Sequence, residues 1–81
     1  MKTPVRFFAQ LRDLTDASLI NIDLSEGARV SDLLEYLYGR FPPLHAHDKT
    51  ILVGVGVEFV DRNYELKPGD EVAIMPPVQG G

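Results

Sequence analysis

The sequence has 81 residues, 44% hydrophobic and 25% charged, which suits one globular domain with a single modest core. Its net charge of −4 argues against a polyanion as main partner, and the eight Lys and Arg residues form no run that would favour nucleic acid or an anionic membrane. With no cysteine there is no disulfide framework, thiolate nucleophile or Cys-based metal site, so any sulfur the protein handles sits elsewhere.

The amino terminus, "MKTPVRFF", meets a proline and an arginine before any apolar run of signal-peptide length, and no stretch approaches a membrane span. A soluble cytoplasmic protein is the expectation. "VRFFAQL" (Val5 to Leu11) predicts a first strand with Val5, Phe7 and Ala9 inward and Arg6, Phe8 and Gln10 outward. "RDLTDAS" supplies turn residues, and "LINIDL" alternates, with Ile20, Ile22 and Leu24 on one side.

The period then changes from two to about 3.6. Leu33, Leu34, Leu37, Tyr38 and Phe41 form one apolar stripe, which predicts the only convincing helix. Ser31 is its expected N-cap, and Pro42 and Pro43 stop it, since neither can donate an amide hydrogen. "LHAHDKT" reads as a polar connection, "ILVGVGVEFV" as a buried strand running into a turn, and Tyr64 to Leu66 as a short extended piece. A Pro68-Gly69 turn leads to a last strand, Glu71 to Met75. One helix covers only one face of such a sheet, so the other face must be polar or used for binding. Met75 and Phe8 fall on that outer parity, with Phe59 a third candidate, and together they predict an apolar patch beside the tail.

No internal chemistry competes with this patch. His45, His47 and Asp48 share a loop, but a structural zinc needs four ligands and nothing completes the set, so no metal is expected. Gly54 and Gly56 lack the further glycine, helix and lysine of a phosphate-binding loop. The carboxylate pairs Glu58/Asp61 and Asp70/Glu71 lie near turns and serve solubility. The chain is therefore read as having no active site of its own.

That leaves "PPVQGG". A Gly80-Gly81 end is the thinnest peptide that can thread a narrow channel, and the Gly81 carboxylate is unhindered. Joined to AMP it would become a mixed anhydride open to a persulfide or a lysine. Pro76 and Pro77 end sheet pairing and stiffen the exit. From the residues alone, a frayed end and a reactive end both stay open.

"VRFFAQLRDLTD", a helix beginning at "VSDLLEYL", "LKPGDEVAIMPPV" and the final Gly-Gly together resemble the small subunits of molybdopterin synthase, a family of ubiquitin-like sulfur carriers, over essentially the whole chain. The resemblance implies an α+β, β-grasp fold: a mixed four- to five-stranded sheet with one main helix packed on one face. It places the domain at residues 1–75 and the reactive tail at 76–81. It implies that the chain binds no cofactor, and that a ubiquitin-activating-like adenylyltransferase uses ATP to adenylate Gly81. A sulfurtransferase or persulfide donor then provides the sulfur of a thiocarboxylate. The tail would enter the large catalytic subunit and give that sulfur to cyclic pyranopterin monophosphate, the chain being the sulfur-donating subunit of a heterotetramer and no enzyme alone. By the same resemblance Gly80 and Gly81 form the reactive end, Pro76, Pro77, Val78 and Gln79 its base, and Phe8, Phe59, Met75 and Arg12 meet partners. Gly56, where the family commonly has asparagine, and Gln79, in place of a small polar residue, depart from the pattern. Carriage of sulfur to thiamine or thionucleosides, modification of protein lysines, and a β-grasp binding module with an inert tail are the alternatives.

Overall fold

The computed structural model describes residues 1–77. Alternating apolar residues at both ends of the chain meet in the middle of one sheet. Strand β1 (Lys2–Phe7) pairs in parallel with the last strand, β5 (Val72–Met75), with Val5 opposite Val72 and Phe7 opposite Ile74. On the other side of β1 lies β2 (Leu19–Asp23), antiparallel. Beyond β5 come β3 (Leu52–Val55) and β4 (Glu58–Val60), each antiparallel to its neighbour, so the order is β2-β1-β5-β3-β4.

Helix α2 (Val30–Arg40) buries Val30, Leu33, Leu34 and Leu37; of the predicted stripe, Tyr38 and Phe41 are only partly buried against the core, and Phe41 lies past the last helical residue. The buried side chains form one core with Val5, Phe7, Ile22, Val53, Val72 and Ile74 from the inner face of the sheet. Phe41, after the last helical residue, stands edge-on to Phe7 with ring centroids 5.8 Å apart. The fold is the mixed five-stranded β-grasp that the sequence led us to expect.

Several local expectations need correction. β1 begins at Lys2 and stops at Phe7, where Val5 to Leu11 was expected. Ala9 is exposed with φ +54°, and a six-residue helix, α1 (Gln10–Thr15), follows. Six residues are too few for local propensity to hold a helix. α1 is held instead by burial of Leu11 and Thr15, and the Thr15 hydroxyl donates to the Leu11 carbonyl at 3.1 Å. The expected N-cap Ser31 lies inside α2. The helix starts from Arg29, whose backbone N–H donates to the Asp32 carboxylate at 2.8 Å. That is the returning half of a capping box, and arginine has no side-chain acceptor to complete it.

Pro42 and Pro43 do end α2, yet the "polar connection" after them is a 3₁₀ helix (Pro42–His47) that buries Leu44. The segment from Ile51 to Val60 is a hairpin rather than one strand. Gly56 and Val57 form its two-residue turn, and Gly56, with φ +63°, fits the glycine-first pattern of such loops. Tyr64 to Leu66 is not a sheet strand. Glu65 makes one isolated bridge to Arg29, and the N–H of Leu66 donates to Ala28 at 2.8 Å, tying this segment to the approach to α2. The Pro68-Gly69 turn is as expected, with Gly69 at φ +90° and the Asp70 N–H donating to Lys67 at 3.0 Å.

Candidate functional site

The outer face of the sheet is built by strand parity. Across it, Phe59 stands opposite Gly54, Gly54 opposite Ala73, Ala73 opposite Arg6, and Arg6 opposite Leu19. In the next row Met75 pairs with Leu52. Phe8 extends β1 past its last ladder residue, its N–H donating to the Ile74 carbonyl at 3.1 Å, which sets its ring beside Met75.

These positions enclose an open depression of about 250 Å³. Gly54 and Ala73 form its floor, Phe8, Phe59 and Met75 its walls, and Val57 part of its rim, with Glu58 the one charged residue lining it among the described residues. Phe8 is 40% exposed and Phe59 66% exposed. Two aromatic rings held open to water around a concave apolar floor differ from a scattered exposed residue, and mark a surface suited to a protein partner. A second depression of about 210 Å³ shares Phe8 and Ala73 and carries Arg6, Leu19 and Glu71 toward the β2 edge. The whole face is thus apolar on the β4 side and mixed in charge on the β2 side.

The chain leaves this face directly from the wall of the first depression. β5 ends at Met75, Pro76 is half-buried and Pro77 is exposed. A prolyl nitrogen has no hydrogen to extend the ladder, so pairing stops here and the main chain is free to depart. Phe8, Phe59 and Met75 line one depression, and Pro76 and Pro77 follow Met75 in the chain without lining it. Arg12 does not line the depression: it is exposed on α1. Val78, Gln79, Gly80 and Gly81 lie outside the described residues. Sequence reasoning missed Gly54 and Ala73 as the floor, although both carry the outward parity that singled out Phe8 and Met75.

Among the described residues no group of three or more His, Cys, Asp or Glu could hold a metal ion. Asp48 instead joins the 3₁₀ segment to the chain after β4. Its carboxylate accepts from the Tyr38 hydroxyl and from the Arg62 guanidinium, both at 2.6 Å. These bonds, Tyr38's first, hold the Asp48 carboxyl below its usual range. Burial and then the bond to Asp48 push the Tyr38 hydroxyl up to about 12. Asp70 and Asp61 shape turns, accepting the N–H of Lys67 at 2.9 Å and of Asn63 at 2.8 Å. These groups are occupied by the fold and none borders the apolar depression. Among the described residues no helix is long and apolar enough to cross a membrane.

A mixed five-stranded sheet with its main helix on one face, in a sequence that closes on Gly-Gly, defines the class of ubiquitin-like β-grasp proteins. The ThiS family model matches residues 5–81, and the chain belongs to the ThiS family. A molybdopterin synthase sulfur carrier subunit of Chlamydomonas reinhardtii is 35% identical over all of both chains. Among solved structures, a Pyrococcus furiosus protein described as a molybdopterin converting factor subunit 1 superposes with a TM-score of 0.88 at 34% identity, covering 96% of this chain and 99% of that one. SAMP1 of Haloferax volcanii covers all of both chains at 26% identity with a TM-score of 0.83.

Proposed function

We propose that this chain carries sulfur as a thiocarboxylate on Gly81 and delivers it, as the small subunit of molybdopterin synthase, to cyclic pyranopterin monophosphate. The observation that carries the reading is the apolar depression of Phe8, Phe59 and Met75 set against the strand end from which the tail departs. A partner that receives the tail must also meet this wall. The curated relatives of matching length, each a sulfur carrier subunit of molybdopterin synthase, support that choice of pathway.

In the proposed cycle, ATP enters only through an adenylyltransferase partner. The Gly81 carboxylate attacks the α-phosphate, pyrophosphate leaves, and an acyl-adenylate forms. A persulfide on a sulfurtransferase displaces AMP, and a thiol cleaves the resulting acyl disulfide to release the thiocarboxylate. The absence of cysteine fits this chemistry, because the acyl sulfur is itself the nucleophile handed to the acceptor. The chain's own contribution is to present the tail and to dock, with the large subunit supplying the catalytic groups.

Intact-mass analysis of the protein from its native host tests this: a fraction heavier by the difference between sulfur and oxygen is expected. Full molybdopterin synthesis by a variant lacking Gly81 would refute it. The full-length similarity to SAMP1, one of the proteins called small archaeal modifiers, favours a second reading in which the activated Gly81 is transferred to protein lysines. Tail-linked lysine peptides in the host proteome, abolished by the same deletion, would establish that role.

A further inference from the structure

Gly54 occupies the middle of β3, where glycine weakens a strand relative to alanine, and its φ lies outside the left-handed region that calls for glycine. The reason for glycine here lies in what a side chain would meet. A Cβ on Gly54 would come within 3.1 Å of the Met75 Cε, closer than ordinary van der Waals contact. Its other neighbours, the Glu58 carbonyl oxygen at 3.5 Å and the Ala73 Cβ at 3.8 Å, would sit at normal distance. Only the tip of Met75 must move, and methionine turns readily about its unbranched side chain. Met75 is itself part of the lining of the depression, so a shift of its tip alters the shape of that space.

We propose that Gly54 is a specificity-determining residue of the docking surface: by leaving room beside it for the tip of Met75, it keeps the depression open for one large apolar side chain of the large subunit. This inference rests on the reading of the face as the surface that docks that subunit. The lining argues for such an occupant, since among the described residues Glu58 is the only charged one around a concavity lined by two aromatic rings and a thioether. So does continuity of the chain: Met75 both lines the depression and is the last residue of β5 before Pro76, so the depression borders the point where the strand ends.

The test is calorimetric titration of the full chain with the purified large subunit of molybdopterin synthase from the same organism. Gly54→Ala is expected to weaken binding about tenfold, the order of an overpacked contact, while its unfolding midpoint is no lower than that of the unaltered chain. Ala73→Leu, which fills the same floor from the solvent side, is expected to weaken binding similarly. In a Met75→Ala background the Gly54→Ala change should cost less than about twofold, because no thioether remains to be displaced. Unchanged binding by Gly54→Ala, or an equal loss with and without Met75, overturns the role of Gly54. Should Gly54→Ala unfold, unchanged binding by Ala73→Leu overturns it instead. If the unaltered chain itself fails to bind, the docking reading falls and this inference falls with it.

Discussion

Phe59→Ala isolates the apolar wall from both the tail and the core. Phe59 is 66% exposed in the free chain, and its partner on β3 is Gly54, which offers it no side chain. A phenylalanine presents roughly 200 Å² of surface, so roughly 130 Å² is left for a partner to cover. At about 25 cal/mol per Å², complete burial would contribute roughly 3 kcal/mol. Incomplete coverage and ordering of the ring reduce the expected loss to about 2 kcal/mol, or roughly 30-fold in Kd. The same exposure means that stability should change by less than about 1 kcal/mol, mostly through the lower strand preference of alanine. Calorimetric titration against the large subunit, run beside urea unfolding of both proteins, separates the two effects. The reasoning is refuted if the alanine variant binds within about twofold of the unaltered chain, or if its weaker binding is matched by an equal loss of stability.

Leu37→Ala should behave in the opposite way, costing about 2–5 kcal/mol in urea unfolding because Leu37 is wholly buried where α2 meets the sheet. Gly69→Ala should cost about 1–2 kcal/mol, read by the same unfolding assay, because residue 69 sits at φ +90° in the Pro68-Gly69 turn. The Tyr38 hydroxyl, at about 12 against an ordinary 10.0, keeps its proton in the native state where the unfolded chain has lost it. Its contribution to stability is therefore complete below pH 10 and lost as pH rises from 10 to 12. Tyr38→Phe should flatten that alkaline limb. With no tryptophan in the chain, the difference in ionised-tyrosine absorbance between the unaltered chain and Tyr38→Phe reads the step directly, and a Tyr38 hydroxyl that ionises near pH 10 would reject it.

The apolar periodicities were legible because burial selects them residue by residue. Leu33, Leu34 and Leu37 of the predicted stripe and the inward pairs Val5/Phe7 and Val72/Ile74 lie in the core, with Tyr38 and Phe41 packed against it. Phe8 and Met75 could be assigned outward by counting from those pairs. Elements held by distant partners could not be read in the same way. α1 rests on Leu11 entering a core supplied by the rest of the chain, and the start of α2 rests on the Arg29 N–H donating to Asp32, half of a capping box at an arginine that is no favoured N-cap. Leu44 looked like part of a polar connection because its burial depends on neighbours that precede and follow it by many residues.

By itself, the sequence determined that one helix would cover one face of a small sheet, that cysteine chemistry was absent, and that the tail would leave the sheet at two prolines. Those are properties of side-chain type and local backbone geometry. Only the tertiary structure decided that Phe8, Phe59 and Met75 share one depression, because that depends on β5 lying between β1 and β3. It also decided that Gly54 and Ala73 form the floor and that Arg12 stands apart on α1. Neighbourhood across a sheet follows from strand order and register, which long-range pairing of the whole chain sets and no single segment encodes.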